Sequence, residues 1–86
     1  MTPKEFYEAR FSLGQAWGLG RALKMSEMGR ALRLGGRDPG QSIRDYERGT
    51  TTISGPISAL VEVYLAGAPP VDGLDAVVAR KIEEPI

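Results

Sequence analysis

The stretch Pro39-Gly40-Gln41-Ser42-Ile43-Arg44-Asp45-Tyr46-Glu47-Arg48-Gly49 constrains the fold of this chain more than any other segment. Wound as an α-helix, it divides into two faces. Ile43, Tyr46 and Glu47 stand at i, i+3 and i+4 and share one side. Gln41, Arg44, Asp45 and Arg48 stand at i, i+3, i+4 and i+7 and share the other. Proline in the first turn and glycine beyond the last bracket a short helix. One side can anchor in a core, and the other presents hydrogen-bonding side chains.

The chain has 86 residues, enough for one small domain and too few for two. Its 42% hydrophobic and 26% charged residues belong to a globular protein and argue against disorder. There is no cysteine and no histidine, which removes disulfides, thiolate and imidazole metal sites, and every Cys/His or Ser/His catalytic pair. Met1-Thr-Pro-Lys-Glu-Phe6 lacks the apolar region of a signal peptide. No apolar run approaches the roughly 20 residues needed to span a bilayer.

The formal net charge is zero, but it is unevenly spread. Residues 10 to 48 carry Arg10, Arg21, Lys24, Arg30, Arg33, Arg37, Arg44 and Arg48 against Glu27, Asp38, Asp45 and Glu47, a net +4. Residues 49 to 86 carry a net −3 and the first nine a net −1. A basic middle can present a positive face even when the whole chain is neutral.

Capping and periodicity predict five helices and no strands. Thr2 and Pro3 open the first, with Glu5 at the third position as a capping box requires. Phe6, Ala9, Leu13 and Trp17 carry it to Leu13 or as far as Trp17. The second runs from Met25 or Ser26 to Leu34 on the stripe Met28, Ala31, Leu32, and stops at Gly35-Gly36. Asp38 caps the third, with Pro39 as its first residue. Ser54, Gly55 and Pro56 start the fourth, whose Ile57, Leu60, Val61, Tyr64 and Leu65 keep helical spacing to Gly67. After Ala68-Pro69-Pro70, Asp72 is expected to cap a last short helix with Asp75 at its third position. Leu74, Val77, Val78 and Ile82 give that helix one apolar face. The expected fold class is all-α.

Gln41-Ser42-Ile43 followed by Tyr46-Glu47-x-Gly49 resembles the recognition helix of the phage repressor and Cro family, the XRE-type helix-turn-helix DNA-binding proteins. Ala9-Arg10-x-x-Leu13-Gly14 resembles the end of that family's first helix, and Leu23-x-x-x-Glu27-Met28-Gly29-x-x-Leu32 its second. Ile53-Ser54-Gly55-Pro56 and the apolar helix after it resemble a branch common in bacterial and prophage proteins. The likeness covers about residues 3 to 66. Two segments depart from it: Gln15 to Ala22 lengthen the passage to the second helix, and Gly35 to Asp38 lengthen the turn before the third.

The resemblance implies a compact five-helix, lambda-repressor-like helix-turn-helix domain over residues 1–67. A linker and short C-terminal helix follow over 68–86. It also implies a cytoplasmic, bacterial or phage-encoded transcription regulator that binds double-stranded DNA as a dimeric repressor, with no cofactor and no metal. Gln41, Arg44 and Asp45 would read bases: Gln41 on adenine, Arg44 on guanine or a phosphate, Asp45 on cytosine or as an orienter of an arginine. Gly40 stands where a second base reader is common. Met25, Ser26, Arg37, Gly40, Ser42, Arg48, Thr50, Thr51 and Thr52 would meet the DNA backbone. Glu47 would pair with Arg10 and fix the third helix against the first.

One recognition helix contacts few base pairs, so two-fold pairing on a pseudo-palindromic operator is expected. Tyr64, Leu65, Leu74, Val77, Val78 and Ile82 are the candidate pairing surface. The C-terminal helix serves equally well as a cover for the domain's own core, and the sequence leaves these two roles open.

Plainer explanations compete at several positions. Gln41, Arg44 and Asp45 also suit an ordinary solvated helix face. Met25, Met28 and Trp17 read better as core filling than as functional groups. Gly18-Leu19-Gly20 lacks the third glycine and preceding strand of a nucleotide loop. Asp72/Asp75 and Glu83/Glu84 read as a cap and a charged tail rather than catalytic carboxylate pairs. No nucleophile, base and orienter stand together, so an enzyme is not expected. The alternative to DNA binding is a protein-interaction module on the same fold, such as an antitoxin, an adaptor or a phage-encoded inhibitor, with a regulatory protein as partner.

Overall fold

The computed structural model describes residues 1–34 and 37–78. They form α1 (Pro3–Ala16), α2 (Met25–Ala31), α3 (Gly40–Arg48), α4 (Gly55–Leu65) and α5 (Leu74–Val78), with no strand among the described residues. The Thr2 hydroxyl accepts from the Glu5 N–H at 3.1 Å, and Glu5 Oε1 accepts from the Thr2 N–H at 2.7 Å. This reciprocal cap satisfies donors that the first turn of α1 leaves open, and the same Thr2 bonds hold the Glu5 carboxyl below its ordinary pKa. Ser54 caps α4 in the simpler way, its hydroxyl accepting from the Ile57 N–H.

All five helices feed one core. Phe6, Leu13, Leu23, Met28, Ile43, Val61, Tyr64 and Val77 are its largest enclosed side chains. Phe6 meets Tyr46 edge to face at 5.4 Å, joining α1 to α3. Trp17 meets Tyr64 in the same manner at 5.2 Å, so the end of α1 closes over α4. The segment beyond Trp17 is tied back to α1. Leu23 is buried, its N–H donates to Arg10 O at 3.1 Å, and its carbonyl accepts from Arg10 Nη1 at 2.6 Å.

Helix α2 closely approaches the start of α3. A Cβ on Gly29 would stand 2.0 Å from the Pro39 carbonyl oxygen. A Cβ on Gly40 would stand 3.0 Å from the Ser26 nitrogen. Only hydrogen at Gly29 lets the backbones come this close, and a side chain at Gly40 would crowd Ser26.

Two expectations from the sequence are corrected, and the role of α5, which the sequence leaves open, becomes visible. Helix α2 ends at Ala31, not Leu34, and the glycines do not stop it. Arg33 takes the left-handed conformation (φ 56°), the Arg33 N–H donates to Arg30 O, and the Leu34 N–H donates to Gly29 O. These two bonds close a Schellman turn with arginine in the position usually held by glycine. Gly35 and Gly36 lie outside the described residues.

Asp72 does not cap α5. Its carboxylate takes two hydrogen bonds from Arg33, at 2.7 and 3.0 Å. That pairing lowers the Asp72 pKa and raises that of Arg33. An arginine fork offers the carboxylate two charged donors, more than one backbone N–H at the start of a short helix can give.

The proposed pairing surface is largely internal. Tyr64 and Val77 are 1% exposed, and Leu74 and Val78 are half-buried. The Tyr64 hydroxyl donates to Ala31 O at 2.7 Å, a carbonyl that the end of α2 leaves without a helical partner, and accepts from the Val71 N–H. Arg30 Nε donates to Val77 O at 2.7 Å and holds α5 against α2. Helix α5 therefore covers the domain's own core. Leu65 is exposed, and Ile82 lies outside the described residues.

Candidate nucleic-acid interface

Helix α3 is fixed from within and open on its other side. Ile43 is fully enclosed and Tyr46 is 8% exposed. Beside them Glu47 receives two hydrogen bonds from Arg10, Nε to Oε2 at 2.8 Å and Nη2 to Oε1 at 3.1 Å. Both side chains of this pair are little exposed, 12% and 11%. The helix ends where Gly49 adopts φ 76° and its N–H turns back to Tyr46 O.

The opposite face carries Gln41, Arg44, Asp45 and Arg48. Gln41 and Arg48 are exposed, and Arg44 and Asp45 are half-buried. Three of these side chains are joined in one chain of hydrogen bonds that begins at Asp38. Arg44 Nη2 donates both to Asp38 Oδ2 and to Gln41 Oε1, the latter at 3.1 Å. Gln41 Nε2 then donates to Asp45 Oδ1 at 3.1 Å. Asp38 is held in turn, because its Oδ1 accepts from the Gly40 N–H at 3.1 Å.

The residues expected around this face fall into three groups. Arg37 is exposed before α3, and Thr50, Thr51 and Thr52 are exposed after it. The N–H groups of Thr50 and Thr51 both donate to Asp45 O, so these threonines offer hydroxyls rather than amides. Met25, Ser26 and Ser42 are half-buried, and Met25 packs against the core. Gly40 is corrected: it is buried under the first turn of α2, and its N–H is taken by Asp38. The position lacks a polar side chain because a Cβ there would press on Ser26.

The structure makes prominent two carboxylates, Asp38 and Glu27, that helical periodicity does not single out. As a sequence feature Asp38 is a helix cap alone. It precedes α3, so no helical spacing linked it to Arg44. Glu27 is 3% exposed, takes a two-pronged contact from Arg21 at 2.8 and 3.0 Å, and accepts from the Lys24 N–H at 2.7 Å. The Arg21 bonds, followed by the Lys24 N–H, outweigh burial and hold the Glu27 pKa below its ordinary value. A glutamate three residues after a helix start, among Leu23, Met28 and Leu32, was the available signal.

Ion pairs among the described residues engage Arg10, Arg21, Arg33 and Arg44. Exposed positive charge at α3 therefore stands at its two ends, on Arg37 and Arg48. Among the described residues no helix is long and apolar enough to cross a membrane. Compared with family models, curated proteins and solved structures, the chain matches none.

Proposed function

We propose that this protein is a sequence-specific, double-stranded DNA-binding transcription regulator, a dimeric repressor that lays α3 in the major groove. Helices α2 and α3 are then its helix-turn-helix. One observation carries the reading: α3 buries Ile43, is tied to α1 through Tyr46 and the Arg10–Glu47 pair and packs closely on α2, while Gln41, Arg44, Asp45 and Arg48 line the side away from that anchor. A helix held rigidly on one side and polar on the other is what major-groove reading requires. In this reading Gln41, Arg44 and Asp45 face bases. Arg37, Arg48 and the hydroxyls of Ser42, Thr50, Thr51 and Thr52 meet phosphates.

The test is fluorescence anisotropy against salt, using the DNA upstream of the protein's own gene and a scrambled duplex. Specific binding that weakens steeply with salt supports the reading. Absence of binding to either duplex at low salt removes it.

A protein-interaction module on the same scaffold is the second reading, favoured by the placement of Asp38 and Asp45 beside Arg44, which dilutes the positive charge a phosphate backbone needs. Arg44→Ala with Arg48→Ala separates the two. Loss of DNA binding with the fold intact supports the first, and retained capture of a protein partner supports the second.

A further inference from the structure

We infer that Asp38 determines specificity. By holding Arg44 it withdraws that guanidinium from guanine recognition and leaves Gln41 as the side chain presented to a base. The inference rests on the reading of α3 as a DNA-reading helix.

A guanidinium recognises two acceptors at once through a pair of parallel donors, and both of its pairs contain Nη2. This molecule shows both pairs in use. Arg10 and Arg33 grip their carboxylates with Nε and Nη2, and Arg21 grips Glu27 with Nη1 and Nη2. Guanine O6 and N7 need the same two-point fork. In Arg44 the shared Nη2 already donates to two acceptors, Asp38 and Gln41. Neither fork is open until one of those bonds is released.

Gln41 is in the reverse position. Its Oε1 accepts one bond of the two it can take, and its Nε2 donates one proton of the two it holds. One lone pair and one N–H remain, the complement of adenine N6–H and N7. Arg44 on one side and Asp45 on the other also set which way the amide faces.

Asp38 is well placed for this role because it is itself fixed. One carboxylate oxygen is bound to the Gly40 N–H at the start of α3, so the other meets Arg44 at a defined point. Asp38→Asn keeps an acceptor for Gly40 and removes the charge that retains Arg44.

The experiment is selection from a pool of randomised duplexes by the full chain as wild type, Asp38→Asn, Arg44→Ala and the double variant, each checked for folding by circular dichroism. The expected wild-type site has an adenine at the Gln41 contact and no guanine preference beside it. Asp38→Asn gains a guanine preference of about tenfold at the neighbouring position, the size of one good bidentate pair, and the double variant loses it. An unchanged Asp38→Asn consensus overturns the inference while the DNA-binding reading stands. So does a wild-type guanine preference that Arg44→Ala abolishes, a comparison that does not depend on Asp38→Asn folding. A wild type that enriches no sequence overturns the DNA-binding reading, and this inference with it.

Discussion

Arg10 on α1 grips Glu47 on α3 with two parallel hydrogen bonds and spends a third donor on the Leu23 carbonyl. One side chain thus joins the first helix, the third helix and the segment between the first and second. Removing either partner leaves the other charge in a site that water barely reaches. Glu47→Ala and Arg10→Ala should each cost about 3–5 kcal/mol, with Arg10→Ala the worse because Leu23 O also loses its donor. A double-mutant cycle by urea denaturation measures the coupling, and wild-type midpoints for both single variants would show that the pair carries no stability.

Tyr64→Phe should destabilise the fold by about 1–3 kcal/mol, because the buried Ala31 carbonyl loses its donor while the ring stays in place. The change also frees the Val71 N–H, so amide exchange should accelerate around Val71 more than in α1. Unchanged stability would mean that water replaces the hydroxyl.

Gly29→Ala forces a methyl group to within 2.0 Å of the Pro39 carbonyl, a backbone atom that cannot rotate away. Helix α3 must then move off α2, at a cost of about 1–3 kcal/mol by the usual scale of overpacking. The expected result is a lower melting point together with weakened DNA binding. A variant that melts and binds like wild type would contradict the close approach.

The acid limb of the stability curve should report Glu27. Its folded pKa lies below the unfolded value, so its contribution is fully present above the unfolded value of about 4.3 and is lost as the pH falls through the lowered folded value. Asp72, held down by Arg33, acts with the same sign from about 3.9. Urea midpoints should stay level down to about pH 5 and then decline, less steeply for Glu27→Gln. Equal slopes for wild type and Glu27→Gln would remove Glu27 from the account.

Gln41→Ala and Arg48→Ala should differ in kind. Loss of the Gln41 amide is expected to cost about 1–3 kcal/mol at one base pair and little elsewhere. Loss of Arg48 should weaken binding to all duplexes alike and reduce the salt slope by about one. Salt titrations on the selected site and its single-base variants distinguish these patterns. A uniform loss from Gln41→Ala would place that residue on the phosphate backbone instead.

The features that the sequence determined alone are local ones. Thr2 with Glu5, Ser54 before Ile57 and Gly49 after Arg48 set helix ends because their partners lie within three residues, and a chain segment needs no fold to bring them together. The two faces of α3 were legible for the same reason, since helical periodicity is a property of the segment. The Arg10–Glu47 pair spans 37 residues, and it was expected only because those positions resemble a known arrangement, not because any spacing required it. Tertiary structure decided the rest. Arg33 meets Asp72 across 39 residues, and Tyr64 meets Ala31 across 33, so neither contact exists until α2, α4 and α5 have packed. That packing turned Tyr64 and Val77 inward and made α5 a cover for its own core. It also set Asp38 against Arg44, because Asp38 lies outside the helix and its reach is fixed by the turn that carries it rather than by any repeat in the sequence.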